Sequence, residues 1–410
     1  MTEFQKQLEQ RFFRYVAVES QSDPASPTVP STPGQLAFAK VLAKDLESYG
    51  LKDIHIDEHS NLTAMRPGNK PNAPKIGFIA HLDTVNVGLS PNIKPQTLTF
   101  TGEDICLNAK EDIWLRVAEH PEILPYKGEE IIFSDGTSVL GADNKAAVSV
   151  IMELLEQLSK NPFDCGDIYV AFVPDEEIGL RGSKLLDLNR FKVDFAYTID
   201  CCALGEVVFE TFNAASVSVK IKGIPAHPMS AKNVLVNPIR VAHDFIGCFD
   251  HFDTPEHTEQ REGYFHFASL TANPNSASIV MNIRDFDKKS YEARKSYIGE
   301  AVMLIQARHP KAEIEYKITD VYSNIIDSLG EDRTAVDTIL QALDKLGITA
   351  DIKPMRGGTD GSALSSRGLL TPNYFTGGLN FHSNFEFLPL SSFEKSYEVT
   401  KTICQLIANK

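Results

Sequence analysis

The stretch that decides the fold is Lys75-Ile76-Gly77-Phe78-Ile79-Ala80-His81, a short apolar run that stops at a histidine. Its length and composition are typical of a strand buried on both faces of a sheet. A second run, Ile168-Tyr169-Val170-Ala171-Phe172-Val173, stops at Pro174-Asp175-Glu176-Glu177. A third, Phe195-Ala196-Tyr197-Thr198-Ile199, stops at Asp200. Each predicted strand therefore ends beside side chains that can bind a metal or carry a proton.

Helices are predicted before, between and after these strands. The apolar spacing or the flanking residues predict them over residues 4–18, Pro33 to Gly50, Ala146 to Leu158 and about Phe393 to Ala408. Buried strands that alternate with helices are typical of an α/β domain with a mostly parallel central sheet. In such sheets, ligands bind outside the carboxyl ends of the strands. The polar residues that end the three strands fall at that edge.

Residues 212–322 follow a different pattern, in which half-exposed strands alternate with two helices. The predicted elements are a strand at Ser216–Lys222, a helix at about Val236–Phe249, strands near Tyr264–Leu270 and Ser278–Arg284, a helix at Lys288–Arg308 and a strand at Glu313–Thr319. The order β-α-β-β-α-β is that of a ferredoxin-like unit. The sequence thus predicts an α/β catalytic domain made of residues 1–211 and 323–410, interrupted by an inserted α+β domain at 212–322.

Composition narrows the class of protein. The 410 residues are 42% hydrophobic and 23% charged, and 40 basic against 55 acidic residues give a net charge of −15. This balance disfavours nucleic acid and anionic membranes as partners, because both attract clustered positive charge. No apolar run is long enough for a membrane span, and the first residues lack the features of a signal peptide. Six cysteines without a Cys-x-x-Cys pair favour reduced thiols and a cytoplasmic location.

Five residues at predicted strand, helix or loop ends supply two imidazoles and three carboxylates. They are His81, Asp143, Glu177, Asp200 and His382. Two divalent metals about 3.5–4 Å apart need such a set, with one carboxylate shared between them. Zinc accepts nitrogen and oxygen ligands and can leave a position for water.

Each of these residues also has a simpler interpretation when it is taken alone. His81 is then a hydrogen-bonded structural histidine, Asp143 a helix N-cap, and Glu176-Glu177 a solvated acidic turn. Joint placement on one side of a predicted sheet favours the shared site. Spacing by itself leaves the choice open.

Four segments resemble those of the metallopeptidase family M20. They are His81-Leu82-Asp83-Thr84, Gly141-Ala142-Asp143-Asn144-Lys145-Ala146, Pro174-Asp175-Glu176-Glu177-Ile178-Gly179 and Thr198-Ile199-Asp200. Further matches, including Arg356-Gly357-Gly358-Thr359-Asp360-Gly361 and Asn380-Phe381-His382, extend the resemblance over essentially the whole chain. Within the family, the sequence is most similar to the tripeptide aminopeptidases.

The resemblance implies a role for each of these residues. One zinc would be bound by His81, Asp143 and Asp200, and a second by Asp143, Glu177 and His382. The cofactor would be two zinc ions per subunit, with cobalt or manganese as substitutes. Two further residues would act beside the metals: Glu176 as general base and acid, and Asp83 as the residue that orients the His81 imidazole.

The family's substrate-binding positions correspond to His227 and Arg284 in the insert and to Arg356 in the catalytic domain. An arginine fork suits the carboxylate of a peptide, because two parallel hydrogen bonds fix both its position and its angle. The alternative for Arg284 is an ion pair with Asp285 or Asp287.

The implied function is hydrolysis of the N-terminal residue from short peptides, chiefly tripeptides, by a metallo-aminopeptidase. The nearest alternative is another M20-type amide hydrolase: a carboxypeptidase, a dipeptidase or an N-deacylase. An alternative of another class is a non-catalytic metal- or peptide-binding protein. The expected partner is a short peptide, with neither nucleic acid nor membrane, and the sequence leaves homodimer formation through the insert open.

Several positions depart from the family pattern. Asn144 stands where an acid is common, Cys201-Cys202 where glycines are usual, and Met229 and Ser383 each replace a glycine. Loss of the acid removes a charge beside the metals, and thiols are soft zinc ligands, so altered coordination is an alternative to packed, reduced cysteines. Met229 and Ser383 bear on substrate preference more than on hydrolysis.

Overall fold

The computed structural model describes all 410 residues, and the chain divides into two units. The first unit comprises Met1–Phe209, Leu329–Lys353 and Thr359–Lys410. The second comprises Glu210–Ser328 and Pro354–Gly358. Arg356, which was expected in the catalytic domain, therefore belongs to the second unit.

The α-helices are α1 (Glu3–Val16), α2 (Pro33–Ser48), α3 (Ala142–Lys160), α4 (Arg181–Leu185), α5 (Pro238–Ile246), α6 (Lys288–Arg308), α7 (Thr334–Lys345), α8 (Asp360–Ser365) and α9 (Leu390–Ile407). Short 3-10 helices lie at Pro121–Tyr126, Pro228–Ser230 and Ile325–Ser328. None of the helices combines the length and the apolar character that a membrane span requires.

The strands of the first unit are β1 (Lys52–Ile56), β2 (Leu62–Arg66), β3 (Ile76–His81), β4 (Pro95–Thr99), β5 (Ile105–Asn108), β6 (Ile113–Leu115), β7 (Glu130–Ser134), β8 (Ile168–Val173), β9 (Phe195–Cys201), β10 (Glu206–Val208), β15 (Asp351–Ile352), β16 (Asn373–Phe375) and β17 (Phe387–Pro389). Those of the second unit are β11 (Asn213–Lys222), β12 (Tyr264–Ala272), β13 (Ser276–Asp285) and β14 (Glu313–Tyr322).

The first unit is built on an eight-stranded mixed sheet in the order β1-β2-β8-β3-β9-β16-β10-β15. Its middle strands β8, β3, β9 and β16 are parallel to one another. All six residues of β3 are buried, as a strand covered on both faces requires. The predicted α/β class is therefore confirmed, with antiparallel pairing added toward the sides of the sheet.

A small three-stranded sheet, β17-β7-β4, lies outside the main sheet and was not predicted. With the hairpin β5-β6 it encloses its own apolar core, which includes Phe100, Phe133 and Phe387. Because Phe387 pairs with Phe133, this sheet fixes the chain immediately after the loop that contains His382.

The second unit has the order β11-α5-β12-β13-α6-β14, so the predicted ferredoxin-like order is confirmed. Its strands form an antiparallel sheet, β12-β13-β11-β14. Alternate residues of β11 and β13, such as Val217 and Met281, are buried with Ile298 and Ile305 of α6. Burial of one sheet face agrees with the period-two pattern of the sequence.

Candidate metal centre

Three neighbouring parallel strands bring acidic and imidazole side chains to one edge of the main sheet. His81 is the last residue of β3, and Asp200 is the residue before the end of β9. Glu176 and Glu177 follow β8 in a turn. Because β8, β3 and β9 are adjacent and parallel, their carboxyl ends meet at the same place.

The carboxylate of Asp143 lies between two imidazoles. Its Oδ1 is 2.9 Å from Nε2 of His81, and its Oδ2 is 3.1 Å from Nε2 of His382. Oε1 of Glu177 is 3.0 Å from the same nitrogen of His382, and Oδ1 of Asp200 is 3.8 Å from Nε2 of His81. The structure thus brings together all five residues in which the sequence suggested metal ligands.

Two irregular segments present Asp143 and His382 to this cluster. Asp143 lies at the start of α3 but has φ −81° and ψ 97°, outside the helical region, after Gly141 at φ +74°. Asn380 and His382 have φ values of +57° and +61°, a left-handed conformation that is uncommon for a residue with a Cβ. Surrounding contacts must therefore hold the His382 loop, and its base is closed by paired Leu379 and Phe387.

Asp83 fixes both His81 and the turn that follows β8. Nδ1 of His81 is 2.9 Å from the backbone oxygen of Asp83 and 3.4 Å from its carboxylate. A proton on Nδ1 that is donated to this carbonyl leaves the Nε2 lone pair directed at Asp143. The Asp83 carboxylate accepts the backbone N–H groups of Glu176 and Glu177 at 3.0 and 3.2 Å. Asp83 therefore acts on both the imidazole and the acidic turn.

Close packing of negative charge shapes the ionisation of the cluster. Burial, with the charge of Asp143, raises the pKa of Glu177 to about 7 and also raises the pKa of Asp200. Burial works against a charged imidazole in His81, but hydrogen bonds to Asp143 and Asp83 outweigh it and raise its pKa. Hydrogen bonds to Asp143 and Glu177 raise the pKa of His382 to about 10. The cluster thus favours the presence of positive charge.

The donor set fits a divalent metal. Ligand atoms of His81, Asp143 and Glu177 all lie within 4.8 Å of one another. Oε1 of Glu177 is buried, and the His382 nitrogen that lies 3.0 Å from it is shared with Asp143. Nitrogen and carboxylate oxygen atoms are ligands that zinc accepts.

The Glu176 side chain forms none of the pairings described above. Its pKa is raised well above the usual range, chiefly by burial, and the negative charges of Asp200 and Asp360 act in the same direction. A carboxyl group with a raised pKa can both hold and release a proton close to neutral pH.

Arg284 and its neighbours lie in the second unit. Its guanidinium is 2.9 Å from the backbone oxygen of Ile283 and lies over the Tyr322 ring, 5.7 Å from the centroid. Asp285 pairs instead with Arg294, at 2.8 Å, and Asp287 caps α6. The alternative ion pair of Arg284 with either aspartate is therefore absent.

Arg356 and His227, also in the second unit, differ in how far they are engaged. Arg356 donates to the backbone oxygens of Gln260 and Glu262 at 3.1 and 2.7 Å and to Oγ1 of Thr258 at 2.8 Å. These bonds tie it to the loop before β12.

The exposed His227 uses Nδ1 to accept the N–H of Met229 at 3.2 Å. The substrate-binding roles of Arg284, Arg356 and His227 stay predictions.

The departures from the family pattern have local explanations. The Asn144 amide donates a hydrogen bond to the Asp200 carboxylate, so a neutral donor stands where an acid was expected. Cys201 is buried, and burial raises the pKa of the half-buried Cys202 thiol. The residues whose ligand atoms lie close enough together to hold a metal include no cysteine. Ser383 caps its own loop by accepting the N–H of Phe385, whereas the Met229 side chain is 90% exposed.

Two buried carboxylates near the site were given no role by the sequence. Asp175 accepts hydrogen bonds from the Ser31 N–H at 2.8 Å and from the Gln35 side chain at 2.6 Å, and so joins the proline-rich loop to the Glu176 turn. Glu386 accepts backbone N–H groups at the start of α3. The hydrogen bonds of both residues join segments that are far apart in sequence and meet only in the folded chain. The one sign of these residues in the sequence was an acid within an otherwise apolar or motif-rich segment.

Comparisons with known proteins agree with this fold. Residues 120–406 match the peptidase family M20/M25/M40. A peptidase T-like protein of Yersinia pestis is 66% identical over 400 residues, covering 97% of each chain. Peptidase T of Clostridium botulinum is 42% identical over 408 residues, covering 99% of this chain and all of that one. The crystal structure of aminopeptidase PepT from Bacillus cereus superposes with a TM-score of 0.76, 22% identity and coverage of 98% and 99%.

The class of protein is thus a peptidase, and the edge of its main sheet carries side chains of the kinds that bind a metal. The chain belongs to the peptidase family M20/M25/M40. The predictions that it is an enzyme of this family and that it is similar to aminopeptidases are confirmed.

Proposed function

We propose that the protein is a metal-dependent aminopeptidase that removes the N-terminal residue from short peptides, chiefly tripeptides. The observation that carries this proposal is the Asp143 carboxylate, which presents one oxygen to His81 and the other to His382. A carboxylate between two separate nitrogen donors is the arrangement that a pair of cations needs.

The donor set suits two zinc ions. His81, Asp143 and Asp200 would hold one, and Asp143, Glu177 and His382 the other, with cobalt or manganese as substitutes. When bound, such a metal pair polarises the scissile carbonyl and lowers the pKa of water toward neutrality. The crystal structure of a Bacillus subtilis protein of the same fold is described as a dinuclear metal-binding peptidase of the M20 family.

Glu176 would act as general base and then as general acid. Its carboxylate would take a proton from the attacking water and return it to the amine that leaves. Burial supports this role, because it raises the pKa and lets the carboxyl group hold the proton between the two steps. The hydrogen bond from the Glu176 N–H to Asp83 fixes the backbone that carries this carboxylate.

The substrate class rests on the relatives and on one arginine. The 42% identical relative is named peptidase T, and a Staphylococcus aureus structure of the same fold is described as a tripeptidase. Arg284 has no acidic partner, so its guanidinium is available for the terminal carboxylate of a short peptide. His227 and Arg356 are further candidates, and a cytoplasmic location stays a prediction.

The experiment is a comparison of substrates with one zinc-loaded preparation. Free tripeptides should be hydrolysed fastest, with release of the N-terminal residue, ahead of dipeptides, N-blocked tripeptides and N-acyl amino acids. Release of the C-terminal residue, or preference for N-acyl amino acids, would favour another M20-type amide hydrolase. Inactivity with zinc, cobalt and manganese on the whole panel would favour a non-catalytic binding protein.

A further inference from the structure

Glu386 is a buried acid that connects the two loops of the metal centre. Its Oε2 accepts the N–H groups of Leu140 and Gly141 at 2.7 and 2.8 Å. Its Oε1 accepts the N–H of Asp143 at 3.1 Å. Glu386 is only 1% exposed, so these three bonds form away from water.

The start of α3 needs such an acceptor. The N-cap residue Gly141 has no side chain, and no capping hydrogen bond is made locally. The first N–H groups of a helix have no partner within the helix, and a negative charge is favourable there. Glu386 supplies the missing acceptor from a segment that is distant in sequence.

The other end of this connection is equally well fixed. Glu386 directly precedes Phe387, the first residue of β17, and its own N–H donates to the backbone oxygen of Ser383 at 3.2 Å. The loop between the paired residues Leu379 and Phe387 contains both Glu386 and His382. One loop therefore presents an imidazole to the Asp143 carboxylate and a carboxylate to the Asp143 backbone.

We propose that Glu386 is a positioning residue that sets the spacing between Asp143 and His382, and thereby the affinity for the cation that these two residues share. This inference rests on the proposed function only for the identity of the cation. The hydrogen bonds that carry it belong to the chain itself.

The test is Glu386→Gln, which keeps the volume but turns one acceptor oxygen into a donor facing an N–H group. Zinc binding to the metal-freed full chain is measured by competition with a chromophoric chelator. Loss of such supporting contacts typically weakens metal binding 10–100-fold, and we expect that loss for one of two zinc equivalents. Wild-type affinity for both equivalents would overturn the proposal.

Asp287→Ala is the matched control, because Asp287 caps α6 in the second unit by accepting the Ser290 N–H. It removes a helix cap without touching the metal centre, so zinc binding should be unchanged. An equal loss of zinc affinity in this variant would mean that general destabilisation explains the result, and would overturn the positioning role.

A double variant tests the spacing itself. His382→Ala is expected to bind one zinc, and adding Glu386→Gln should leave that affinity unchanged, because the spacing no longer matters. A further 10–100-fold loss would mean that Glu386 acts on Asp143 alone, against the proposal.

Amide exchange of the wild-type chain gives an answer that needs no variant. The N–H groups of Leu140, Gly141 and Asp143 should exchange slowly in a peptide spanning 139–146. Fast exchange would overturn the proposal even if Glu386→Gln fails to fold. Absence of zinc binding by the wild-type chain would count against the proposed function. Slow exchange of the three N–H groups would still support Glu386 as a positioning residue.

Discussion

Asp143 and His382 are 239 positions apart in the chain, yet Oδ2 of the aspartate lies 3.1 Å from Nε2 of the histidine. The other oxygen of the same carboxylate is 2.9 Å from His81. One side chain thus serves both halves of the candidate metal centre, whereas each histidine serves one. Substitutions at these positions should therefore have unequal effects.

Asp143→Ala is expected to abolish tight binding of both zinc ions, and His382→Ala to abolish binding of one. The reason is that Asp143 is common to both predicted ligand sets. Metal analysis after gel filtration gives the stoichiometry, with the exposed Asp53→Ala as control. Two zinc ions per chain in Asp143→Ala would contradict the shared role.

Glu176→Gln should leave folding and zinc content intact and lower kcat about 10²–10⁴-fold, the usual contribution of a general acid–base group. Steady-state hydrolysis of a tripeptide, alongside metal analysis, is the measurement. Glu58→Gln is a suitable control, because the Glu58 side chain is 83% exposed. Turnover equal to that of the wild type would exclude Glu176 as the base.

Arg284→Met should raise KM for tripeptides that end in a free carboxylate. KM should change little for the same tripeptides with an amidated C-terminus. A hydrogen bond between charged groups contributes about 1.5–3 kcal/mol, so the rise should be about 10–150-fold. The exposed Arg240→Met, in the same unit, is the control. Equal KM changes for free and amidated peptides would rule out carboxylate recognition by Arg284.

Removal of metal by a chelator should abolish activity and lower Tm, because the carboxylates of Glu177 and Asp200 then repel Asp143 with only the two imidazoles to offset the charge. A ligand at 100 times its Kd stabilises the folded state by about 2.7 kcal/mol. Scanning calorimetry with and without added zinc measures this difference. A Tm independent of zinc would mean that the folded chain does not hold the metal.

Glu156→Gln tests a charge pair far from the site, between α1 and α3. Burial raises the pKa of Glu156, but Lys160 and Arg11 outweigh it and hold the pKa below its usual range. A carboxylate whose pKa is lowered by folding adds stability above its unfolded pKa, and this stability is lost as pH falls through the folded pKa. The loss of unfolding free energy in the variant should therefore be full at pH 7 and fade in acid.

Denaturant unfolding of the wild type and Glu156→Gln at several pH values between 7 and 3 gives this comparison. Glu58→Gln, at a side chain that is 83% exposed, is the control variant. A difference between wild type and Glu156→Gln that grows in acid would have the wrong sign for the pairing described.

Strong local signals made much of the fold predictable. The run from Ile168 to Val173 is a strand with those bounds, and Lys288–Arg308 is the predicted helix residue for residue. By contrast, β4, β7 and β17 have three to five residues each, too few for a clear period. Their pairing joins segments far apart in sequence, which no local pattern indicates.

The candidate site shows the same division. Chemistry-bearing side chains at strand ends could be predicted, because the sheet edge follows from the strands. The backbone contacts of Asp83 and Glu386 could not be predicted, because their donors are backbone N–H groups. Every residue except proline has such a group, so the sequence does not mark which ones are used. The predicted start of α3 at Ala146 lies close to where its regular helical backbone begins, because Asp143 and Asn144 have non-helical backbone angles.

The loop between β16 and β17 has a consequence for biosynthesis. A ribosome makes the chain from its amino end, so His81, Asp143, Glu177 and Asp200 emerge long before His382 and Glu386. A nascent polypeptide would thus lack the last imidazole, and the acid that fixes its spacing, until the segment up to residue 386 has been made. Hydrolytic competence would then arise only after the chain has been made beyond residue 386 and this loop has closed on the earlier ligands.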